Sequence, residues 1–534
     1  MLALFFDLPY FRYRKIITGG NMPLLRVKSL CLSGLLLTIL LSAFEVSAAK
    51  YSVAINGGRV MDPESGFDGA MNVGIQNGRI VTLSPEPLEA DVIIDAEGLV
   101  VTAGFIDQHF HWTRALGYKL AVRDGVTTAM DLEAGSFGRL IDDYYEMHAG
   151  KSLVNFGTAV SHELGRAAVH DGFIALDAPA ALATGGRMGK GWSHAVSTGA
   201  KLDELLAITD EGLARGALGV ASTLGYMPGA TASEMFSMQA QAAKYGRATF
   251  VHTRNTPGTA TTEPNGAQEI LANAVALGAP ASINHFNNPG WELTQDLLVR
   301  LREQGHNVWG EYYPYAAGST TINAQFLDPR VWVDQLGKRY EETIFDPSSG
   351  TFLDQEAFLR IRESHPQRLI VVYKMPESEV IKWVGLPGII MASDAMPMPG
   401  AKFDTPPVDT PFEAIPNLHP RTAGARGKSL RLAREAGIPL MQVLASLNYL
   451  PAKYLGDTGL SAMQERGRLQ EGMVADITIF NPVAVRDNST YNKGAEPTTG
   501  IEYVLVNGEV ILSQGVVDTL KAPGQPIRFP VIDN

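Results

Sequence analysis

From residue 101 to about 465 the chain alternates short apolar runs with longer amphipathic stretches, and few folds accept that rhythm. The strand-like runs are VTAGFIDQ, GVTTAMDL, GALGVAST, ATFVHTR, ASINHF, NVWGEYYPY, LIVVYK and GIIMASD. Between them lie segments with helical apolar spacing, such as LDELLAITDEGLARG and ASEMFSMQAQAAKYG. About eight strand-then-helix units predict an α/β fold, a (β/α)8 TIM-like barrel. A doubly wound parallel sheet has the same alternation, but polar residues at the strand ends favour the barrel, whose functional groups sit at the C-terminal ends of its strands.

Both flanks of this region read differently. Residues 49–100 hold alternating segments (YSVAING, AMNVGIQNG, RIVTLS, DVIIDAEGLV) separated by Asn-Gly and Gly-Gly turns, and the texture returns over 466–534 in GMVADITIFNP and IEYVLVNGEVILSQG. One small β-sandwich domain built from both ends is expected, with the barrel of 101–465 inserted between its parts. Residues 1–48 are expected to be an N-terminal extension and signal peptide. After Met22 come basic residues, an apolar core from about Leu30 to Leu41, and a small-residue stretch with cleavage expected near Ala48. The apolar core is short for a membrane span, so no stable membrane insertion is expected after cleavage, and the mature protein is expected to be periplasmic or secreted. Met1 or Met22 would serve as the start. Cys31 precedes most of the apolar stretch, which argues against a lipid anchor.

With 44 Lys+Arg against 56 Asp+Glu and a net charge of -12, the chain has no basic footprint for phosphate backbones, which excludes nucleic acid as a partner. The chemistry lies at the strand ends. In Gly104-Phe105-Ile106-Asp107-Gln108-His109-Phe110-His111, residues two apart in extended chain point to one side, so His109 and His111 can aim at one ion. His252 (ATFVHTRN) and His285 (ASINHFNN) end two further runs, and imidazole nitrogens suit zinc or another divalent metal, as one or two ions. Asp394, in GIIMASDAMP, is the candidate general base and acid and a further metal contact; Glu133, in GVTTAMDLEAG, could bridge two ions. Arg254 and Lys374 follow or end strands and could attract an acidic group.

Taken together, GFIDQHFH, GVTT, GALGVASTLGYMPGA (216–230), FVHTRN, INHFNN, EYYPYAAGSTT (311–321), MASDAMP, LHPRTAG (418–424) and GRLQEGMVADITIFNP (467–482) resemble the amidohydrolase superfamily, and within it the D-aminoacylase (N-acyl-D-amino-acid deacylase) group. The resemblance implies metal-dependent hydrolysis of a linear amide, with a small N-acyl-D-amino acid giving a D-amino acid and a carboxylic acid. It implies that His109 and His111 hold one metal position, that His252 and His285 hold the other, and that Asp394 is the catalytic aspartate. It also places Tyr313 and Ser319 beside the substrate and Arg421 on its carboxylate. The chain departs from the family pattern where a cysteine ligand usually follows GVTT: Glu133 would replace it from one position earlier. Asn287 stands where the family often has lysine, and no lysine lies at 219–223 to serve as a carbamylated bridge. Cyclic-amide or dipeptide hydrolases (hydantoinase, dihydroorotase or isoaspartyl dipeptidase-like) share the metal logic but not the Tyr-Pro-Tyr and His-Pro-Arg segments. A catalytically inactive periplasmic binding module would not need the poised Asp394. Oligomeric state has no signature in the sequence.

Overall fold

Eight parallel strands form the central sheet of the computed structural model: β1 (Phe105–Asp107), β2 (Val126–Ser136), β3 (Asn155–Ser161), β4 (Gly219–Ser222), β5 (Ala248–Val251), β6 (Ala281–Ile283), β7 (Val308–Tyr312) and β8 (Ile390–Met391). The structure describes residues 51–184, 190–254, 266–396 and 407–532; the segment read as a signal, with Cys31, lies outside the described residues. The strands pair in chain order, and an isolated bridge between Phe110 and Ala395 brings the last strand back to the first, with the His111 N–H donating to the Ala395 carbonyl at 2.9 Å. The result is the expected (β/α)8 barrel. Ile106, Met130, Leu132, Ala221, Phe250 and Ile390, from five strands on different sides, belong to one buried cluster, so the barrel is packed and not a pore. Gly125 turns the chain into β2 with φ +85°, and a Cβ there would lie 2.7 Å from the Phe105 ring, so the turn requires glycine.

The helices follow from local chemistry. Helix Ala232–Lys244 starts at Thr231, whose side chain accepts the Glu234 N–H at 3.0 Å, and it buries Met235, Met238, Gln239 and Ala242 at three- and four-residue spacing.

One of the eight runs belongs elsewhere. LIVVYK is not a barrel strand: Leu369–Tyr373 pairs antiparallel with Ala317–Thr321 and Ile344–Asp346 in a four-stranded sheet inserted between β7 and β8. The barrel's third strand is Asn155–Ser161 (NFGTAVS), whose small and polar residues give a weak strand signal. Tertiary contacts place it: Asn155 Nδ2 donates to the Thr127 carbonyl at 3.1 Å and to Asp476 at 2.8 Å.

The two β-rich ends form one hydrogen-bonded sheet of nine strands, in which Val100–Ala103 pairs antiparallel with Ile477–Phe480. The sandwich expected from the pattern is thus one connected sheet, an eight-strand path with Ala90–Asp95 branching from Tyr51–Asp62, and its core includes Val53, Ile55, Val73, Ile94, Ile477 and Leu505. Its Asn77-Gly78 and Asn507-Gly508 turns have both residues at positive φ (52° and 73°, 50° and 83°), the hairpin geometry the sequence predicts. Beyond this sheet the chain returns to the barrel, where Ile527 N–H donates to the Phe156 carbonyl at 2.7 Å. No helix among the described residues is long and apolar enough to cross a membrane.

Candidate active site

Every residue singled out in the sequence for chemistry on the barrel proper sits at the C-terminal end of a strand. His109 and His111 follow β1, Glu133 lies near the end of β2, His252 follows β5, and His285 lies two residues beyond β6. Tyr313 follows β7 and Asp394 lies three residues beyond β8. No lysine ends β4, which reads Gly219–Ser222, so the shared anion falls to Glu133. His285 and Asp394 both hold positive φ, 29° and 53°, a strained backbone for non-glycine residues that concentrates at functional sites.

Glu133 is the centre of the arrangement, and its two oxygens face different histidine pairs. Oε2 lies 3.2 Å from His109 Nε2 and 3.3 Å from His111 Nε2; Oε1 lies 2.8 Å from His285 Nε2 and 3.3 Å from His252 Nδ1. Two triads result, His109–His111–Glu133 and Glu133–His252–His285, each with ligand atoms within 4.8 Å of one another. Behind the first triad stand two carboxylates that the sequence reading passed over. Glu311, at the end of β7, bonds His109 Nδ1, and Asp131 Oδ1 lies 3.1 Å from His111 Nδ1. Each was legible as a charged residue two positions before a site residue on the same strand face, Tyr313 and Glu133 respectively.

This network tests whether the donors fit a metal. With Nδ1–H of His109 and His111 given to Glu311 and Asp131, both Nε2 atoms present lone pairs, and they face each other across 2.9 Å. Two lone pairs at that separation repel unless a proton or a metal ion lies between or beside them. Burial opposes charge on both rings, yet Glu133, Glu311 and Asp394 around His109, and Asp131, Asp394 and Glu133 around His111, raise both imidazoles well above their ordinary pKa. The mouth is therefore built for positive charge, and its nitrogen-plus-carboxylate donor set suits zinc or a similar borderline dication.

Asp394 stands over the same group, its Oδ1 at 3.5 Å from both His109 Nε2 and His111 Nε2. Burial works against its charge, but Arg421, with Nη2 at 2.7 Å, and His109 hold the carboxyl well below the usual carboxylate range. Arg421 opens the helix Arg421–Ala436, which kinks at Gly424. His419 fixes its start by accepting the Arg421 N–H at 3.1 Å on Nδ1 while bonding the Ala317 carbonyl at 3.0 Å through Nε2. Asp124 seats the helix beyond the kink by accepting the N–H groups of Arg426 and Gly427 at 2.7 and 2.9 Å. Tyr313 lies under Arg421, and burial pushes its phenol pKa up, so it stays protonated and able to donate. Tyr313, Ser319, Asp394 and Arg421 line one cavity of about 800 Å³ with His111, Glu133, His252 and His285. All nine residues expected at the site are thus brought together; His109 is fully buried beneath that floor.

Fold and mouth together make a (β/α)8 barrel whose strand ends carry two donor groups that could each hold a metal ion. No protein-family model matches the chain. Its sequence is 26% identical over 513 residues to N-acyl-D-glutamate deacylase of Alcaligenes xylosoxydans xylosoxydans, spanning 87% of this chain and 94% of that one. It is 25% identical over 508 residues to D-aminoacylase of the same organism, spanning 86% and 94%. In structure it resembles N-acyl-D-glutamate deacylase from Bordetella bronchiseptica, solved with zinc and a phosphonate inhibitor, with a TM-score of 0.70 at 23% identity over 90% of this chain and 100% of that one. The chain thus has homologues named N-acyl-D-glutamate deacylase and D-aminoacylase, and it shares the fold of D-aminoacylase. D-hydantoinase is a more distant structural neighbour, at a TM-score of 0.55 and 17% identity over 90% of this chain and 100% of that one.

Proposed function

We propose that this chain is a metal-dependent deacylase that hydrolyses N-acyl-D-amino acids to a D-amino acid and a carboxylic acid. The observation that carries the reading is Glu133 turning one oxygen to each histidine pair, with Asp394 and Arg421 beside it. The D-hand rests on the relatives, which are named for D-glutamate and D-amino acid derivatives. His109, His111 and Glu133 would hold one ion, and Glu133, His252 and His285 a second, with zinc as the expected metal. Bound there, the metal supplies Lewis-acid polarisation of the acyl carbonyl and a water acidic enough to yield its proton near neutral pH.

The chain's own groups do the rest. Asp394, held in its charged form, accepts the proton of the attacking water and then delivers it to the leaving nitrogen as the C–N bond breaks. The Tyr313 hydroxyl donates to the acyl oxygen as negative charge develops on it. Arg421 holds the substrate carboxylate, a task that its planar fork suits. The test is amino-acid release by zinc-loaded protein from N-acetyl-D-amino acids, run beside ring opening of hydantoins and dihydroorotate. Release of free D-amino acid is expected; ring opening without release would overturn the reading in favour of a cyclic-amide hydrolase.

The basic, apolar and small-residue succession over 22–48 further supports export to the periplasm or beyond. N-terminal sequencing of the exported protein should start near Ala49, and an uncleaved cytoplasmic chain would refute this.

A further inference from the structure

Two cations lie against the ring of Tyr313, Lys374 with Nζ at 5.0 Å and Arg421 with its guanidinium carbon at 4.8 Å from the ring centre. They arrive from different parts of the fold. Arg421 comes from the helix after β8, whereas Lys374 directly follows the strand Leu369–Tyr373 of the inserted sheet. Among the described residues, the Lys374 ammonium has no ion pair and no hydrogen bond. Arg421 is buried beside Asp394, yet none of Nε, Nη1 and Nη2 makes an aligned hydrogen bond to a described residue.

Gly318 marks the space between them. A Cβ there would lie 3.0 Å from the Tyr313 hydroxyl, 3.9 Å from Arg421 Nη1 and 3.9 Å from Lys374 Cε, so three groups surround one small volume that glycine leaves open. That volume belongs to the cavity that also exposes Glu133 and Asp394. Two like charges in a partly buried wall repel, and the one carboxylate paired with them, Asp394, is the group that must move protons. The wall therefore lacks one negative charge. Burial pushes the Lys374 ammonium down to about 7, Asp394 pulling it up and Arg421 adding to the depression, and an arriving anion would restore its charge. Arg254, the other cation at the end of a strand lining the cavity, is already engaged, with Nε and Nη2 on the two oxygens of Glu269 at 2.8 and 2.7 Å.

We propose that Lys374 and Arg421 form a two-cation clamp over Gly318 for a carboxylate of the substrate, and that Lys374 sets the preference for a charged substrate over a neutral one. The clamp rests on the N-acyl amino acid reading above. The experiment compares wild type, Lys374→Met and Lys374→Arg on two substrate pairs, N-acetyl-D-leucine against its amide and N-acetyl-D-glutamate against N-acetyl-D-glutamine. The first pair isolates the main-chain carboxylate and the second a side-chain one. Loss of a charge-assisted contact should lower the acid-over-neutral ratio of kcat/KM by about tenfold to a hundredfold in Lys374→Met for one pair, chiefly through KM, with most of it regained in Lys374→Arg. Ratios within twofold of wild type for both pairs would overturn the clamp. If wild type releases nothing from any N-acyl amino acid, the functional reading fails separately. Calorimetric binding of D-leucine against D-leucinamide then tests the clamp: the acid is expected to bind more weakly to Lys374→Met, and unchanged binding would overturn it.

Discussion

Replacing Glu311 by glutamine removes one charge and one acceptor from a place that touches no substrate. The Glu311 carboxylate is buried at the end of β7, taking one bond from His109 Nδ1 and another from Gln108 Nε2 at 2.8 Å. Both neighbours donate. A glutamine offers one oxygen and one NH2 group in their place, so Gln108 must turn its unpartnered Oε1 toward the new NH2 group, or His109 must move its proton to Nε2 and lose the lone pair that faces the metal position; in either case the charge behind His109 is gone. The lost charge-assisted bond amounts to about 1.5–3 kcal/mol, and a carboxylate behind a ligating histidine typically accounts for about 10- to 100-fold in metal affinity, roughly 1.4–2.8 kcal/mol by the same scale. Chelator competition on Glu311→Gln should therefore show zinc bound about 10- to 100-fold more weakly than in wild type. The metal-free forms of both proteins, melted side by side, separate this from a packing defect. Zinc affinity within threefold of wild type would refute the reasoning, because Glu311 would then orient nothing.

Glu133→Gln takes away the anion common to both histidine pairs, and elemental analysis after dialysis should find at most half the zinc of wild type; full occupancy would show that the carboxylate bridges nothing. Away from the site, Glu234 accepts from His162 at 2.8 Å and Arg166 at 2.5 Å; burial opposes its charge, but these partners lower its pKa to about 2. A carboxylate depressed in the fold adds stability above its unfolded pKa near 4.5 and loses it as pH falls toward 2. Glu234→Gln should thus cost about 3 kcal/mol at pH 7, with the gap to wild type narrowing below pH 4.5 in denaturant titrations; an equal gap at pH 7 and pH 3 would contradict this.

The barrel was legible in the sequence because its strands end in unusual residues. An apolar run that finishes in His-x-His, Val-His or Asn-His carries both a strand and a reason for its position, and each of these lies where a barrel needs it. LIVVYK finishes in a lysine and has a similar apolar run, yet its partners are Ala317–Thr321 and Ile344–Asp346. Periodicity records that a strand is buried and not which sheet buries it. Asn155–Ser161 failed in the opposite way, since its small residues fit between neighbouring strands without leaving an apolar signature. The metal pairs could be read from strand ends, but the two-sidedness of Glu133 could not: it depends on the curvature that brings β5 and β6 round to face β1. Asp131 and Glu311 carried a strand-face signal, two positions before Glu133 and Tyr313, but only the closed barrel shows which imidazole each carboxylate touches.

The most direct test of the account is release of free amino acid from matched N-acetyl-D- and N-acetyl-L-amino acids by metal-analysed wild type and Asp394→Asn. The account predicts D-selective, zinc-dependent release, with kcat lower by about 10²- to 10⁴-fold in Asp394→Asn while its metal content is kept. Zinc bound by wild type with no release from either hand, or an Asp394→Asn protein as fast as wild type, would contradict it.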